Sequence, residues 1–344
     1  MHSFLLSFFR VCLLIQVFSF TCSLKSLDNV DRHPNSILAG DFWTYAKKNQ
    51  KAPGTFSIQS IKFLEQQKKT PSQDKEQIIF QYSKDSWSTM QANTDYRKAT
   101  FVIASTANCL EGAMNRGGVK YGMQDLCSEH AVQGEDAVLS APWSGYQRLT
   151  ETKYNLLKHK TILFDEFSKT GNYADLKVGI HFNVPVLGYL THPLYHDPEF
   201  ENVVLMLTKE PLAQLIHQIF VSAVDLRSKL QDNKSGALPD AKTDLSYMIR
   251  GAMLALNYGK QLGLKAPPSN VIVIPFLGAG AFDNDWHWTI DALEDCAALI
   301  KTLKLTVILN DFAFSLNSEK YNYLKSRPGL KGISISYRAG SLLF

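Results

Sequence analysis

A buried strand that runs straight into a small-residue turn and then an amphipathic helix restricts a chain to few architectures. Residues 271–285 read this way: Val271-Ile272-Val273-Ile274-Pro275-Phe276-Leu277-Gly278-Ala279-Gly280-Ala281-Phe282-Asp283-Asn284-Asp285. Four branched apolar residues in succession leave neither strand face polar, as in a strand covered on both sides. Trp286, Ile290, Leu293, Ala297 and Ile300 then recur on one helical face, with Asp283 or Asp285 placed to cap it. A strand covered on both faces needs helices on both, which points to layered α/β architecture.

The rest of the chain from Gln77 onward repeats the alternation. The runs 78–82, 100–104, 178–182, 203–207, 271–274, 305–309 and 333–337 read as strands. Leu245, Met248, Ile249, Ala252 and Leu256 share one helical face, with Thr243 or Asp244 as cap and Gly259 or Gly263 as terminator. A third helix is expected over 211–230, and 232–240, rich in Asn, Lys, Gly and Pro, reads as a loop. No repeat at a solenoid period is present.

With 344 residues, 45% of them hydrophobic and 20% charged, the chain can bury a large core. Its net charge of +4 contains no Lys/Arg run resembling a phosphate-backbone stripe, so nucleic acid is not an expected partner. The five cysteines, Cys12, Cys22, Cys109, Cys127 and Cys296, show no CxxC pair, which argues against a disulfide framework or structural zinc.

Three segments are expected: a hydrophobic leader over 1–24, a polar extension packed loosely over 25–75, and the main domain over 76–344. The leader lacks acidic residues, carries Arg10, and contains an apolar run over 11–20 broken by Gln16 and Ser19; Thr21 and Ser23 follow as small residues. A secretory signal is the leading reading, with a membrane anchor and a mitochondrial targeting helix as alternatives. Membrane contact is expected only through this leader, since a spanning helix needs about 20 apolar residues. The odd number of thiols after it favours a reducing final compartment.

The turn at Gly278 and Gly280 lets backbone approach a ligand, and amides at a helix start favour phosphate. An ordinary βα turn explains the same glycines. A second loop adds weight. After 100–104 comes Ser105-Thr106-Ala107-Asn108, then Asn115-Arg116-Gly117-Gly118-Val119 and Gly122-Met123-Gln124-Asp125. Two such loops suit a ligand with two phosphates and two sugars.

Together, Thr106-Ala107-Asn108, Gly117-Gly118-Val119, Gly122-Met123-Gln124-Asp125 and the stretch from Leu277 to Asp285 resemble a divergent macrodomain, nearest to the microbial type of poly(ADP-ribose) glycohydrolase. The resemblance spans roughly 77–311. It implies a three-layer αβα sandwich with a mixed central sheet that binds ADP-ribose and hydrolyses the bond at the terminal ribose. It also implies that Asn108 or Asn115 holds the distal ribose, that Gly117 and Gly118 lie over the diphosphate, and that Gly278, Gly280 and Ala281 form the second phosphate loop. Phe282 then packs against the distal ribose, with Asn284 among the ligand-binding residues.

The sequence departs from the resemblance at the catalytic acid. Where that group carries Gln-Glu-Glu, this chain has Gln124-Asp125-Leu126. Asp125, or Glu129 one helical turn later, is the candidate, and Asp283 and Asp285 are carboxylates near the second loop. The chemistry asks one carboxyl group to assist departure or position water as an oxocarbenium-like transition state forms. Each of these acids is equally well read as a helix cap or a solvated first-turn residue.

Other groups rank lower. Pro193 and Pro198 argue against a helix that would align His192 and His196 on a metal; Ser144 lacks a nucleophile elbow; Cys109 and Cys127 read as small core residues. No metal or cofactor is expected. The expected function is removal of ADP-ribose from a modified protein, with arginine favoured as the linkage because acids crowd the loops. The alternatives are a non-catalytic ADP-ribose-binding module, a poly(ADP-ribose) glycohydrolase, and a different α/β enzyme acting on a nucleotide or sugar phosphate. The resemblance includes exported bacterial effectors, which accounts for a leader together with free thiols.

Overall fold

Both faces of the sheet at its long strand pair are covered, and this sets the layering. In a computed structural model, described for residues 36–38, 42–49, 54–68, 75–83, 87–105, 107–110, 137, 141–191, 205–226, 241–280, 282–312 and 318–339, the strands form one mixed sheet. They are β1 (Ser36–Leu38), β2 (Thr55–Ser60), β3 (Gln77–Ser83), β4 (Thr100–Ala104), β5 (Lys177–Thr191), β6 (Leu205–Val221), β7 (Val271–Pro275), β8 (Thr306–Phe312) and β9 (Ser334–Ala339). The order is β2-β5-β6-β4-β7-β8-β3-β9, with β1 on β6. From β6 to β9 neighbouring strands are parallel, while β5 runs antiparallel to β2 and β6.

The described helices are α1 (Phe42–Asn49), α2 (Ile61–Gln66), α3 (Trp87–Ala92), α4 (Pro142–Thr150), α5 (Phe167–Thr170), α6 (Ala241–Gly259), α7 (His287–Asp295), α8 (Ala297–Leu303) and α9 (Ser318–Ser326). On one face, Gln218 of β6 bonds to Gln91 of α3, while Arg148 of α4 lies over Phe220 and bonds to His181. On the other face α6 comes so close that a methyl at Gly251 would meet Val178 at 3.0 Å, and one at Gly259 would meet Phe182 at 2.5 Å. Helices on both sides of a mixed sheet make the expected αβα sandwich.

The core explains why these stretches fold as they do. Ile272, Val273 and Ile274 of β7, and Phe101, Val102 and Ile103 of β4, are fully buried, consistent with strands lacking a polar face. Helix α6 buries Leu245, Met248, Ile249, Ala252 and Leu256, and ends at Gly259.

Three expectations are corrected. The stretch 211–221 belongs to β6, not to a helix over 211–230. Its Gln214, His217 and Gln218 look like the polar face of a helix, but they are buried between two strands and two helix layers. The apolar stripe from Trp286 to Ile300 is carried by two helices, α7 and α8, which part at Cys296 (φ −87°, ψ 2°). Loose packing does not hold over 55–66: β2 pairs with β5 along its length, and Ile61 and Leu64 of α2 are buried. The leader lies outside the described residues; among those described, no helix is long and apolar enough to cross a membrane.

His217 gives the fold a pH dependence. Burial, then the nearby Lys98 charge, pushes its pKa from 6.5 down to about 3. The ring accepts the Asn183 N–H at Nδ1 and is fully buried. Because the folded value lies below the unfolded one, this stability is complete above pH 6.5 and is lost as pH falls toward 3. The slope is at most about 1.4 kcal/mol per pH unit. His217→Gln is therefore expected to give a shallower loss than wild type in urea unfolding between about pH 7 and about pH 4.5; parallel slopes would contradict this.

Candidate functional site

Strands β4 and β7 are adjacent and parallel, with Thr100 opposite Ile272 and Phe101 opposite Val273. The segments leaving their carboxyl ends therefore start side by side. The chain after β4 goes on to β5 on one flank of the sheet, whereas the chain after β7 goes to α7 and β8 on the other. Such a divergence opens a crevice at the strand ends, where open α/β sheets hold their ligands.

The first segment is anchored below that crevice. The Ser105 N–H donates to the Val221 carbonyl at 2.8 Å. Asn108 is 1% exposed; its Nδ2 donates to the Leu156 carbonyl at 3.4 Å and its Oδ1 accepts the Leu110 N–H at 3.1 Å. The side chain expected to hold a ribose thus also bonds to Leu110 in its own loop and to the Leu156 carbonyl. Cys109 next to it takes a left-handed conformation (φ 63°), and its carbonyl accepts Arg148 Nε at 2.9 Å. Arg148 Nη1 lies 3.3 Å from His181 Nδ1, and His181 Nε2 lies 3.1 Å from Gln147 Oε1. Since a guanidinium only donates, His181 Nδ1 is the acceptor and its proton sits on Nε2.

The second segment is a locked turn. Gly278 has φ 71°, and its carbonyl accepts the Phe282 N–H at 3.3 Å and the Asn284 N–H at 3.0 Å. Asn284 is 4% exposed; its Nδ2 donates to Val224 at 2.8 Å and to Phe282 at 3.2 Å. The Leu226 N–H donates to the Phe282 carbonyl at 3.1 Å. The stretch leaving β6 is thereby tied to both loops, through Val221 to Ser105 and through Val224 and Leu226 to the glycine turn. Gly280 is exposed, and no described residue lies within 4 Å of a methyl built on it. Phe282 is half-buried and Asp283 is exposed in a left-handed conformation (φ 57°).

The structure thus brings Gly278, Gly280, Phe282, Asp283 and Asn284 together beside the segment carrying Asn108. Asn115, Gly117, Gly118, Asp125, Glu129 and Ala281 lie outside the described residues, as do Cys127, His192 and His196.

Two arrangements at this edge were not read from the sequence: the burial of Asp311 and the bond that joins Asp285, already read as a cap and loop carboxylate, to His287. Asp311, near the end of β8, is buried; its Oδ1 accepts Lys320 Nζ at 2.7 Å, and that ammonium lies 4.4 Å over the Phe276 ring. The second is Asp285 with His287. Burial raises the Asp285 pKa, but the His287 backbone N–H and imidazole outweigh it, so the carboxyl is held below its usual range. The signal for Asp311 was a polar pair, Asn310-Asp311, closing an apolar run; for His287 it was a histidine two residues after an acid at a helix start.

These features define an α/β domain with a ligand-accessible edge built from the loops after β4 and β7. No protein-family model matches the chain, and no curated protein does. Solved structures do resemble it. Poly(ADP-ribose) glycohydrolase from Deinococcus radiodurans, as a point mutant in complex with ADP-ribose, aligns with TM-score 0.49 and 11% identity over 86% of this chain and 98% of that one. The enzyme of the same name from Thermomonospora curvata aligns with TM-score 0.46 and 11% identity over 85% of this chain and 93% of that one. At such identity, no residue role passes from those proteins to this chain.

Proposed function

We propose that this protein is a hydrolase that cleaves ADP-ribosyl glycosidic bonds. The observation that carries the reading is that the segments bearing the two motifs described above leave the carboxyl ends of the neighbouring parallel strands β4 and β7. The exposed Gly280 in the glycine turn suits close approach of a diphosphate, and the half-buried Phe282 suits a sugar face.

Among linkages, arginine drew its support from crowded carboxylates. Asp285 is engaged by His287, while Asp283 stands exposed in the described turn; with the loop motifs resembling poly(ADP-ribose) glycohydrolases, we favour the ribose–ribose bond of poly(ADP-ribose) as the target. We keep mono-ADP-ribosyl-arginine on a protein as the alternative substrate, and export through the leader as part of the proposal.

Calorimetry with ADP-ribose is expected to give micromolar binding, and incubation with poly(ADP-ribose) to release free ADP-ribose. Arginine-, glutamate- and serine-modified proteins run in parallel separate the linkages. Absence of binding at high micromolar ADP-ribose overturns the proposal, and binding without release from any substrate reduces it to a binding module.

A further inference from the structure

A basic turn stands beside the segment that leaves β4. It carries Lys153, Lys158, His159 and Lys160, and residues 152–164 contain no acidic side chain. Lys153, Lys158 and Lys160 are exposed, as is Leu157. The nearest acids are occupied: Glu151 accepts the Lys153 backbone N–H at 2.8 Å, Asp165 accepts the Thr161 hydroxyl at 2.7 Å and faces the His159 ring at 3.9 Å, and Glu166 pairs with Lys169 at 2.9 Å. Lys153 Nζ lies 5.2 Å over the Tyr154 ring. Among the described residues, no carboxylate pairs with Lys153, Lys158 or Lys160.

The turn is clipped to the crevice. Asn155 takes a left-handed conformation (φ 49°), and its carbonyl accepts the N–H groups of Lys158 at 2.9 Å and His159 at 3.1 Å. On either side of the lysine pair, the Leu156 carbonyl accepts Asn108 Nδ2 and the Leu163 N–H donates to the Ala107 carbonyl at 3.1 Å. Leu156 and Leu163 are buried, and Tyr154 Oη accepts the Ile58 N–H of β2 at 3.2 Å. The Leu163 carbonyl accepts the N–H of Lys177, which opens β5. Because β5 runs antiparallel to β6, and β6 parallel to β4, its first residues stand at the sheet edge where β4 ends. Solvation accounts for exposed lysines anywhere on a surface. It does not account for three of them, unanswered by acids, on a turn hydrogen-bonded to the two residues that follow the start of the first loop.

We propose that this turn is a docking surface for the part of a poly(ADP-ribose) chain that lies beyond the unit held in the crevice, with Lys153, Lys158 and Lys160 meeting its diphosphates; this rests on the hydrolase reading above. The polymer repeats a diphosphate in every unit, so a chain whose end sits in the crevice brings further anions to its rim. Cations there steer a polyanion toward the site and hold it with an affinity that salt weakens. A single ADP-ribose on a protein side chain offers one diphosphate, which the glycine turn takes, and leaves the lysines nothing to meet. The surface therefore favours polymer over mono-ADP-ribosylated protein.

The test uses the full chain, with steady-state hydrolysis of poly(ADP-ribose) and calorimetry with ADP-ribose as readouts. Combining Lys153→Ala, Lys158→Ala and Lys160→Ala is expected to raise KM for the polymer by about tenfold or more at about 50 mM salt and to reduce the slope of log(kcat/KM) against log salt by about 2. The same variant is expected to keep kcat and the Kd for ADP-ribose within about twofold. Lys169→Ala, which removes a lysine already paired with Glu166, is expected to leave KM unchanged. An unchanged polymer KM in the triple variant, or an equal rise in the Kd for ADP-ribose, overturns the docking surface while wild-type release of ADP-ribose upholds the hydrolase. Single-stranded DNA of matched phosphate number that binds wild type as tightly as the polymer, and loses as much in the triple variant, overturns it in favour of nucleic acid. Wild type that neither binds ADP-ribose nor releases it from polymer overturns both.

Discussion

Gly278→Ala is expected to destabilise the protein by about 2–4 kcal/mol and to weaken ADP-ribose binding by about tenfold or more. Two independent costs add. The residue stands at φ 71°, where a side chain costs about 1–2 kcal/mol. Its new Cβ would also lie 2.7 Å from Asn284 Nδ2 and 2.8 Å from Ala223 Cβ, inside ordinary contact. Asn284 must then shift, and it is the side chain that ties the turn to Val224 and Phe282. Gly263 is the control: φ is 62° but nothing lies within 4 Å, so Gly263→Ala carries the conformational cost alone. Urea unfolding of the two variants measures the difference, and equal losses would refute the crowding argument.

The second large effect is expected at Arg148. Its guanidinium is 1% exposed and lies 4.0 Å over the Phe220 ring while donating to Cys109 and His181. Arg148→Met leaves both acceptors without those donors, and a loss of about 3–5 kcal/mol is expected from breaking a buried charged network. Arg148→Lys is expected to recover little, because one ammonium cannot reproduce donors aimed in two directions from a rigid fork. Denaturant midpoints of the two variants decide the point: full recovery by lysine would mean that charge alone matters. Because Arg148 bonds to the carbonyl of Cys109, which stands in a left-handed conformation in the segment after β4, the proposed ADP-ribose binding is also expected to weaken in either folded variant.

Much of the sheet could be read directly. The run 100–104 coincides with β4, and 271–274 falls one residue short of β7, because buried parallel strands write themselves as unbroken branched apolar stretches. Strand β6 resisted for the opposite reason. Its polar residues are bonded inside the layers, Gln214 to Gln91 and Asn93 and Gln218 to Gln91 and Ala137, so no alternation of polar and apolar residues survives. The break at Cys296 was hidden because the apolar stripe continues across it.

At the site, the glycine turn was legible because small residues between a strand and a helix have a local cause. The role of Asn284 was not: one of its acceptors is a backbone carbonyl 60 residues away, and no side-chain pattern marks a carbonyl. The bonds of Asn108 were equally hidden, since both ends of its carboxamide reach backbone groups. Arg148 and His181 lie on separate elements, 33 residues apart, and meet only when α4 packs on β5.

The order of strands has a consequence for how the protein comes into being. Strand β3, among the earliest in the chain, pairs with β8, where Gln77 bonds to Thr306 across 229 positions, and β4 finds β7 only after two long intervening strands are made. Pairings so distant in sequence are slow to form, because loop closure must precede any reward from contact. On a ribosome, the apolar edges of β3 and β4 have no partners from the C-terminal strands until β7 and β8 have emerged. Any ligand that needs both loops therefore appears in binding only when the last third of the chain has docked, which makes affinity a late marker of folding.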